Sequence, residues 1–114
     1  GLGTQRWGST DFNGPNEELC HAFLDKAVLE NGINLIDTAE QYPIPSDDKT
    51  NPEGLTEQII GNWIAKEKGR REKVVISTKI TGGANISRKN IFEDCEGSLQ
   101  RLGTDYLDVY LLHW

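Results

Sequence analysis

Apolar residues along this chain change spacing from segment to segment. Between residues 16 and 31, Cys20, Phe23, Leu24, Ala27 and Val28 recur three and four positions apart, the interval that lines one face of an α-helix. Asn16 is placed to cap its start, and Asn31-Gly32 to stop it. The run Ile33 to Thr38 (INLIDT) leaves that glycine as a short β-rich stretch carrying a carboxylate near its end, and predicts a strand. Tyr42 to Glu53 (YPIPSDDKTNPE) is polar and holds Pro43, Pro45 and Pro52. Each proline removes an amide donor and restricts the residue before it, so this stretch predicts a long loop.

Leu55, Ile59, Ile60, Trp63 and Ile64 form a second helical stripe, ended by the basic, glycine-containing Lys66 to Arg71. Val74 to Lys79 (VVISTK) is rich in β-branched residues and predicts a strand. Ser87 opens a third helix through Ile91, Cys95, Leu99 and Leu102, and Gly103 stops it. Gly97 inside that helix costs about 1 kcal/mol relative to alanine. Leu107 to Leu112 (LDVYLL) is a further strand, and Gly1 to Thr4 (GLGT) reads as the tail of a strand preceding the first helix. Four strands alternating with three helices predict parallel βα units. An eight-stranded barrel, typically about 250 residues long, needs twice as many elements. A doubly wound open sheet fits the same count, so periodicity leaves both architectures open.

Charge narrows the partners. Eighteen acidic residues against twelve basic give a net charge of −6, and no segment clusters lysine and arginine into a phosphate-tracking stripe. Nucleic acid is therefore not an expected partner. No apolar stretch approaches the roughly 20 residues of a membrane-spanning helix, and no signal peptide is visible. A soluble, cytoplasmic protein is expected, with its oligomeric state left open. Cys20 and Cys95 both fall on apolar helical stripes and read as reduced core residues; two isolated thiols make no metal site. The start at Gly1 and the stop after an apolar run read as two cut ends.

In parallel α/β folds the working groups sit at the C-terminal ends of strands. Asp37, Lys79 and His113 occupy three such ends, and Tyr42 follows Asp37 by five positions. The two-residue period of a strand puts Lys79, Ser77 and Val75 on one face, with Ile76 and Val74 turned to the helices. The same parity groups His113, Leu111 and Val109. Each residue taken singly has an ordinary reading: Asp37 as a turn cap, Lys79 as a charge leaving for solvent, His113 as a packed core histidine, Tyr42 as a loop aromatic.

Taken together they carry a resemblance. Gly1-Leu2-Gly3-Thr4 with Trp7-Gly8, Asp37-Thr38-Ala39-Glu40-Gln41-Tyr42, Ser77-Thr78-Lys79 and Asp105-Tyr106-Leu107-Asp108-Val109-Tyr110-Leu111-Leu112-His113-Trp114 resemble, in order, the signatures of the aldo-keto reductases. Gly54-Leu55-Thr56-Glu57 through Gly61 resembles the family's helix after the tyrosine, and Asn90-Ile91 with Ser98-Leu99-Gln100-Arg101-Leu102 its third helix. Gln5 stands where many relatives have an aromatic, and the Tyr42-Pro43-Ile44-Pro45 loop resembles the Tas-like branch. The resemblance implies the N-terminal half of a (β/α)8 TIM barrel, with about four parallel strands and three helices.

It also implies an NADP(H)-dependent oxidoreductase that reduces aldehyde and ketone carbonyls to alcohols. Tyr42 would be the proton donor, Lys79 its cationic neighbour, Asp37 the carboxylate that orients Lys79, and His113 the donor to the carbonyl oxygen. A free phenol titrates near about 10, and a nearby ammonium favours its anion. Thr4, Gln5 and Asp37 are where relatives touch the nicotinamide. Trp7, His113, Trp114 and the Pro43 to Glu53 loop would line the pocket for a small-molecule carbonyl substrate. No GxGxxG fingerprint is present, as expected of barrels that bind dinucleotides in another way. Two alternatives stand beside this reading: a barrel lyase forming a Schiff base on Lys79, and a non-catalytic NADP-binding, redox-sensing module. Four strands alone leave open edges and an uncovered interior, so residues 1–114 by themselves are expected to be inactive and prone to association.

Overall fold

Four short strands, β1 (Leu2–Gly3), β2 (Leu35–Asp37), β3 (Val75–Ile80) and β4 (Val109–Leu112), pair side by side in chain order, every pair parallel. The computed structural model describes residues 1–10, 13–46 and 52–114. Parallel neighbours require a crossover, and helices α1 (Glu17–Leu24), α2 (Leu55–Ala65) and α3 (Arg88–Leu102) supply the three. Ile36, Ile76 and Ile80 turn to the helices and are fully buried, while Leu35, Val109 and Leu111 on the opposite face remain exposed. The strand order does not reverse, and the helices cover one face only. This is the course of part of a (β/α)8 barrel and not of a doubly wound sheet.

The core between sheet and helices gathers Cys20 and Leu24 from α1, Ile59, Ile60 and Trp63 from α2, Leu102 from α3, and Ile36 and Ile76 from the strands. Each such aliphatic or aromatic side chain contributes about 1.5–3 kcal/mol when withdrawn from water. Burial also pushes the Cys20 thiol up to about 12. Cys95 differs from expectation: α3 leaves it half-buried, and both thiols are free. Asn16 and Ser87 cap α1 and α3 as their positions predict, accepting from Leu19 N at 2.9 Å and Asn90 N at 3.1 Å. Gly103 ends α3 with φ 65°, the left-handed turn that glycine adopts without steric cost.

Two strand boundaries shift for local reasons, and the first helix, which reaches Glu30 as its spacing predicts, changes form on the way. The first helix continues past Leu24 as a wide π turn over Asp25–Glu30. Its exit uses the Ile33 amide, which donates to Ala27 O at 2.9 Å, so strand pairing starts later than Ile33. At β4 the Asp108 carboxylate replaces a backbone acceptor, taking Ile76 N at 2.8 Å, and the ladder begins at Val109 instead of Leu107. The Lys66 to Arg71 segment is more than a polar helix end. Arg71 is buried and its guanidinium donates to Val74 O, Tyr106 O, Thr104 Oγ1 and Asp108 Oδ2, tying the entry of β3 to the entry of β4. Among the described residues no helix is long and apolar enough to cross a membrane.

Candidate active site

Strand register brings the predicted residues to one end of the sheet. Asp37 lies opposite Ser77, and Lys79 is two residues further along β3 on the same face. That diagonal is within reach of a long side chain. Lys79 Nζ donates to Asp37 Oδ1 at 2.8 Å and to Thr38 O at 2.7 Å. Thr4, buried at the end of β1, sends its hydroxyl to Asp37 O at 2.9 Å. The ends of β1, β2 and β3 are thus joined around one ammonium.

Tyr42 returns to this point because the chain after β2 folds back on itself. Glu40 N donates to Lys79 O at 3.1 Å and Tyr42 N to Ala39 O at 3.2 Å. The tyrosine ring is buried, with Lys79 Nζ 5.3 Å from its centroid. Beyond it the peptides Tyr42–Pro43 and Ile44–Pro45 are cis, and Ile44 N donates to Gln5 O at 2.9 Å. Gln5 is exposed and meets this loop through its backbone.

His113 completes the group from the end of β4. Its imidazole stands edge-on to Tyr42, with ring centroids 6.0 Å apart. Desolvation, reinforced by the Lys79 charge, lowers its pKa below the ordinary 6.5, so the neutral ring prevails at neutral pH. Nδ1 is buried with no hydrogen-bond partner among the described residues. Such an orphaned nitrogen costs about 1–3 kcal/mol unless water or a bound group satisfies it. Gly82 makes the placement possible, because a Cβ there would collide with the His113 carbonyl oxygen.

The two tryptophans expected at the pocket, Trp7 and Trp114, part company. Trp7 is only 5% exposed and packs in the helix-side core, tilted against Phe23. Trp114 is 73% exposed beside His113, with ring centroids 5.8 Å apart. Residues 47–51 of the expected pocket-lining loop lie outside the described residues. A groove of about 620 Å³ lined in part by Arg71, Thr104 and Tyr106 opens at the other ends of the strands, remote from Lys79. Each guanidinium nitrogen of Arg71 already has an acceptor, so that groove offers no free cation to a ligand. No group of three or more metal-ligating side chains occurs among the described residues.

One ammonium fixed by a carboxylate, one phenol beside it and one neutral imidazole facing that phenol make a constellation suited to delivering a proton to an oxygen. The same face is open next to it: a Cβ built on Gly3, which pairs with Asp37, would meet nothing within 4 Å. Several supporting residues were not singled out by periodicity. Glu57 is fully buried, holding Thr78 and Arg101, and Glu40 binds Thr81. The signal for Glu57 was its position, three, four and seven residues before the helix-face positions Ile60, Gly61 and Ile64. An acid on an apolar face must find partners.

An open parallel βα sheet with an Asp–Lys pair, a tyrosine and a histidine at its C-terminal edge defines a class of barrel enzymes rather than a single protein. The aldo/keto reductase family model matches residues 1–114, and the chain belongs to that family. It is 46% identical over 125 residues to Protein tas of Escherichia coli strain K12, covering 100% of this chain and 34% of that protein. Aldo-keto reductase YhdN of Bacillus subtilis strain 168 is 37% identical over 121 residues, covering 100% of this chain and 33% of YhdN. Among solved structures, MGS-M4, an aldo-keto reductase enzyme from a Medee basin deep-sea metagenome library, superposes with a TM-score of 0.68 at 31% identity. That match covers 100% of this chain and 34% of the other. The chain therefore spans about a third of the length of the curated relatives it matches.

Proposed function

We propose that the site built by Asp37, Lys79, Tyr42 and His113 reduces the carbonyl of a small aldehyde or ketone to an alcohol, with NADPH as reductant. The observation that carries this reading is the convergence of a carboxylate-held ammonium, a phenol and a neutral imidazole at one strand edge. Thr4, Gln5 and Asp37 would hold the nicotinamide end over the open floor at Gly3. When bound, the reduced dinucleotide supplies the hydride to the carbonyl carbon. Tyr42 gives its hydroxyl proton to the carbonyl oxygen, and Lys79 steadies the phenolate left behind. Asp37 and Thr38 O hold Lys79 in direction. His113 donates a hydrogen bond to the same oxygen, and Trp114 offers an apolar wall to the substrate's remainder.

Nζ of Lys79 already serves two acceptors, an arrangement suited to a cation and ill suited to the free amine that imine formation requires. The free thiols fit a reducing compartment such as the cytoplasm. Residues 1–114 alone leave Leu35, Val109 and Leu111 exposed on the inner face, and we expect no turnover from them in isolation. The test is reductant consumption with a panel of aldehydes and ketones, using a protein that carries this segment within a chain of the relatives' length. Turnover that falls by about 100-fold or more in Tyr42→Phe supports the reading. Cofactor binding without turnover on the whole panel would instead favour a regulatory module.

A further inference from the structure

Behind the sheet edge, on the side away from the open floor, a chain of charged and polar groups links α2, α3, the end of β3 and the turn after β2. Glu57 of α2 is fully buried; Oε2 accepts from Thr78 Oγ1 at 2.8 Å and Oε1 from Arg101 Nε at 2.8 Å. Thr78 is the residue before Lys79. Arg101, near the end of α3, extends its guanidinium to within 4.0 Å of Glu40 Oε1. The other oxygen of Glu40 accepts from Thr81 N at 3.0 Å and Thr81 Oγ1 at 2.8 Å. Thr81 precedes Gly82, the glycine packed against the His113 carbonyl.

The arginine runs through a slot that two glycines keep open. A Cβ on Gly54 would press on Arg101 Cδ, and one on Gly97 would lie 3.0 Å from Arg101 Nη1. Gly97 is the helix-interior glycine that weakens α3 locally, and the Arg101 guanidinium passes beside it. Glu40 itself lies between Asp37 and Tyr42 in sequence, with its amide on Lys79 O. Its carboxylate therefore fixes the turn that carries Tyr42 relative to the strand that carries Lys79.

We propose that Glu40 and Arg101 are positioning residues that set Tyr42 against Lys79 and His113, with Glu57 as their buried anchor. None of the three touches the reacting atoms. The assignment rests on the reductase reading for its kinetic consequence, but its geometric content can be read without turnover. Release of the Glu40 carboxylate from Thr81 would loosen the turn between Asp37 and Tyr42 and misplace the phenol. Displacements of about 1 Å cost on the order of 100-fold in rate.

Glu40→Gln is the informative variant, because it keeps shape and leaves the Arg101–Glu57 pair intact, yet its single amide oxygen can face either Thr81 or Arg101, so its NH2 breaks one of the two contacts. Thr81→Val, which removes one of the two bonds to Glu40, is the second variant should Glu40→Gln fold poorly. In the protein carrying this segment at its relatives' length, kcat is expected to fall about 10- to 100-fold while KM for carbonyl and cofactor stays within about twofold. The ¹³Cζ resonance of Tyr42 in ¹³C-tyrosine-labelled protein, assigned by its loss in Tyr42→Phe, is expected to shift in the same variants. A folded Glu40→Gln with unchanged kcat, or with an unmoved Tyr42 resonance, would overturn the proposal. A wild-type protein that turns over nothing refutes the reductase reading instead, and the resonance then decides the positioning role alone.

Discussion

Lys79 and Asp37 meet diagonally across β2 and β3, Nζ 2.8 Å from Oδ1, with the lysine side chain 13% exposed and the aspartate 45%. A pair this open at one end contributes little to stability, commonly about 0–1 kcal/mol. Its geometry is better explained by where it holds the ammonium: under the Tyr42 ring and at the edge of the open floor beside Gly3.

Lys79→Met should therefore separate activity from stability. Turnover is expected to fall by about 100- to 10,000-fold, as when a group assisting proton transfer is removed. The unfolding free energy should fall by no more than about 1 kcal/mol, since the aspartate of the pair is half exposed. Steady-state kinetics and calorimetry on the same preparation check both. A large stability loss with proportionate loss of activity would make Lys79 a structural residue.

His113 gives a pH signature. Its folded pKa lies below the ordinary 6.5, chiefly through desolvation. Above 6.5 the imidazole is neutral in both folded and unfolded chains, and stability is at its full value. As pH falls below 6.5 the unfolded chain takes up the proton first, so stability declines until the folded pKa is passed. Urea unfolding followed from pH 7.5 down to about 5 should show this loss in the wild type and a shallower one in His113→Gln. Parallel slopes in the two proteins would remove His113 as the source.

Asp108 provides the stability test at the opposite strand ends. Burial alone would raise its carboxyl, but hydrogen bonds from Ile76 N and Arg71 together outweigh it and hold the group below its ordinary 3.8. This depressed pKa contributes stability that is present above 3.8 and lost as pH drops through the folded value. Asp108→Asn should cost on the order of 1–3 kcal/mol at pH 7, since a charge-assisted bond becomes a neutral one. Its kinetics should remain near wild type when measured well below the melting temperature. Equal losses in Asp108→Asn and Tyr42→Phe turnover would contradict the separation of the two strand ends.

Much of this was legible in the sequence because local patterns agreed with the final packing. Asn16 and Ser87 act as caps, Gly103 as a stop, and the alternation in Val74 to Lys79 separates Lys79 from Ile76 as the period requires. Asp37, Tyr42, Lys79 and His113 converge because strand ends in a parallel sheet share an edge. What escaped notice depends on contacts distant in sequence. Ile33 is drawn out of its strand by Ala27 O, and Asp108 substitutes for a backbone acceptor; neither effect has a one-residue signature. Arg71 sits in a basic segment that reads as a helix end, yet its acceptors lie up to 37 positions away. Gly97 reads as a weak point in α3, and nothing in the sequence shows that the Arg101 guanidinium lies beside it. Trp7 carries the same bulk whether it lines a pocket or fills a core, and only the packing places it in the core.

The most direct measurement of the central claim follows an isotope. The protein carrying this segment at its relatives' length is given NADPH deuterated at the transferable position of nicotinamide C4, together with an aldehyde that it turns over. The expected result is deuterium on the carbinol carbon of the alcohol product, detected by mass spectrometry, and about 100-fold less labelled alcohol in the same time when Tyr42→Phe replaces the wild type. Alcohol formed without label, or an aldehyde adduct trapped on Lys79 by cyanoborohydride, would contradict it.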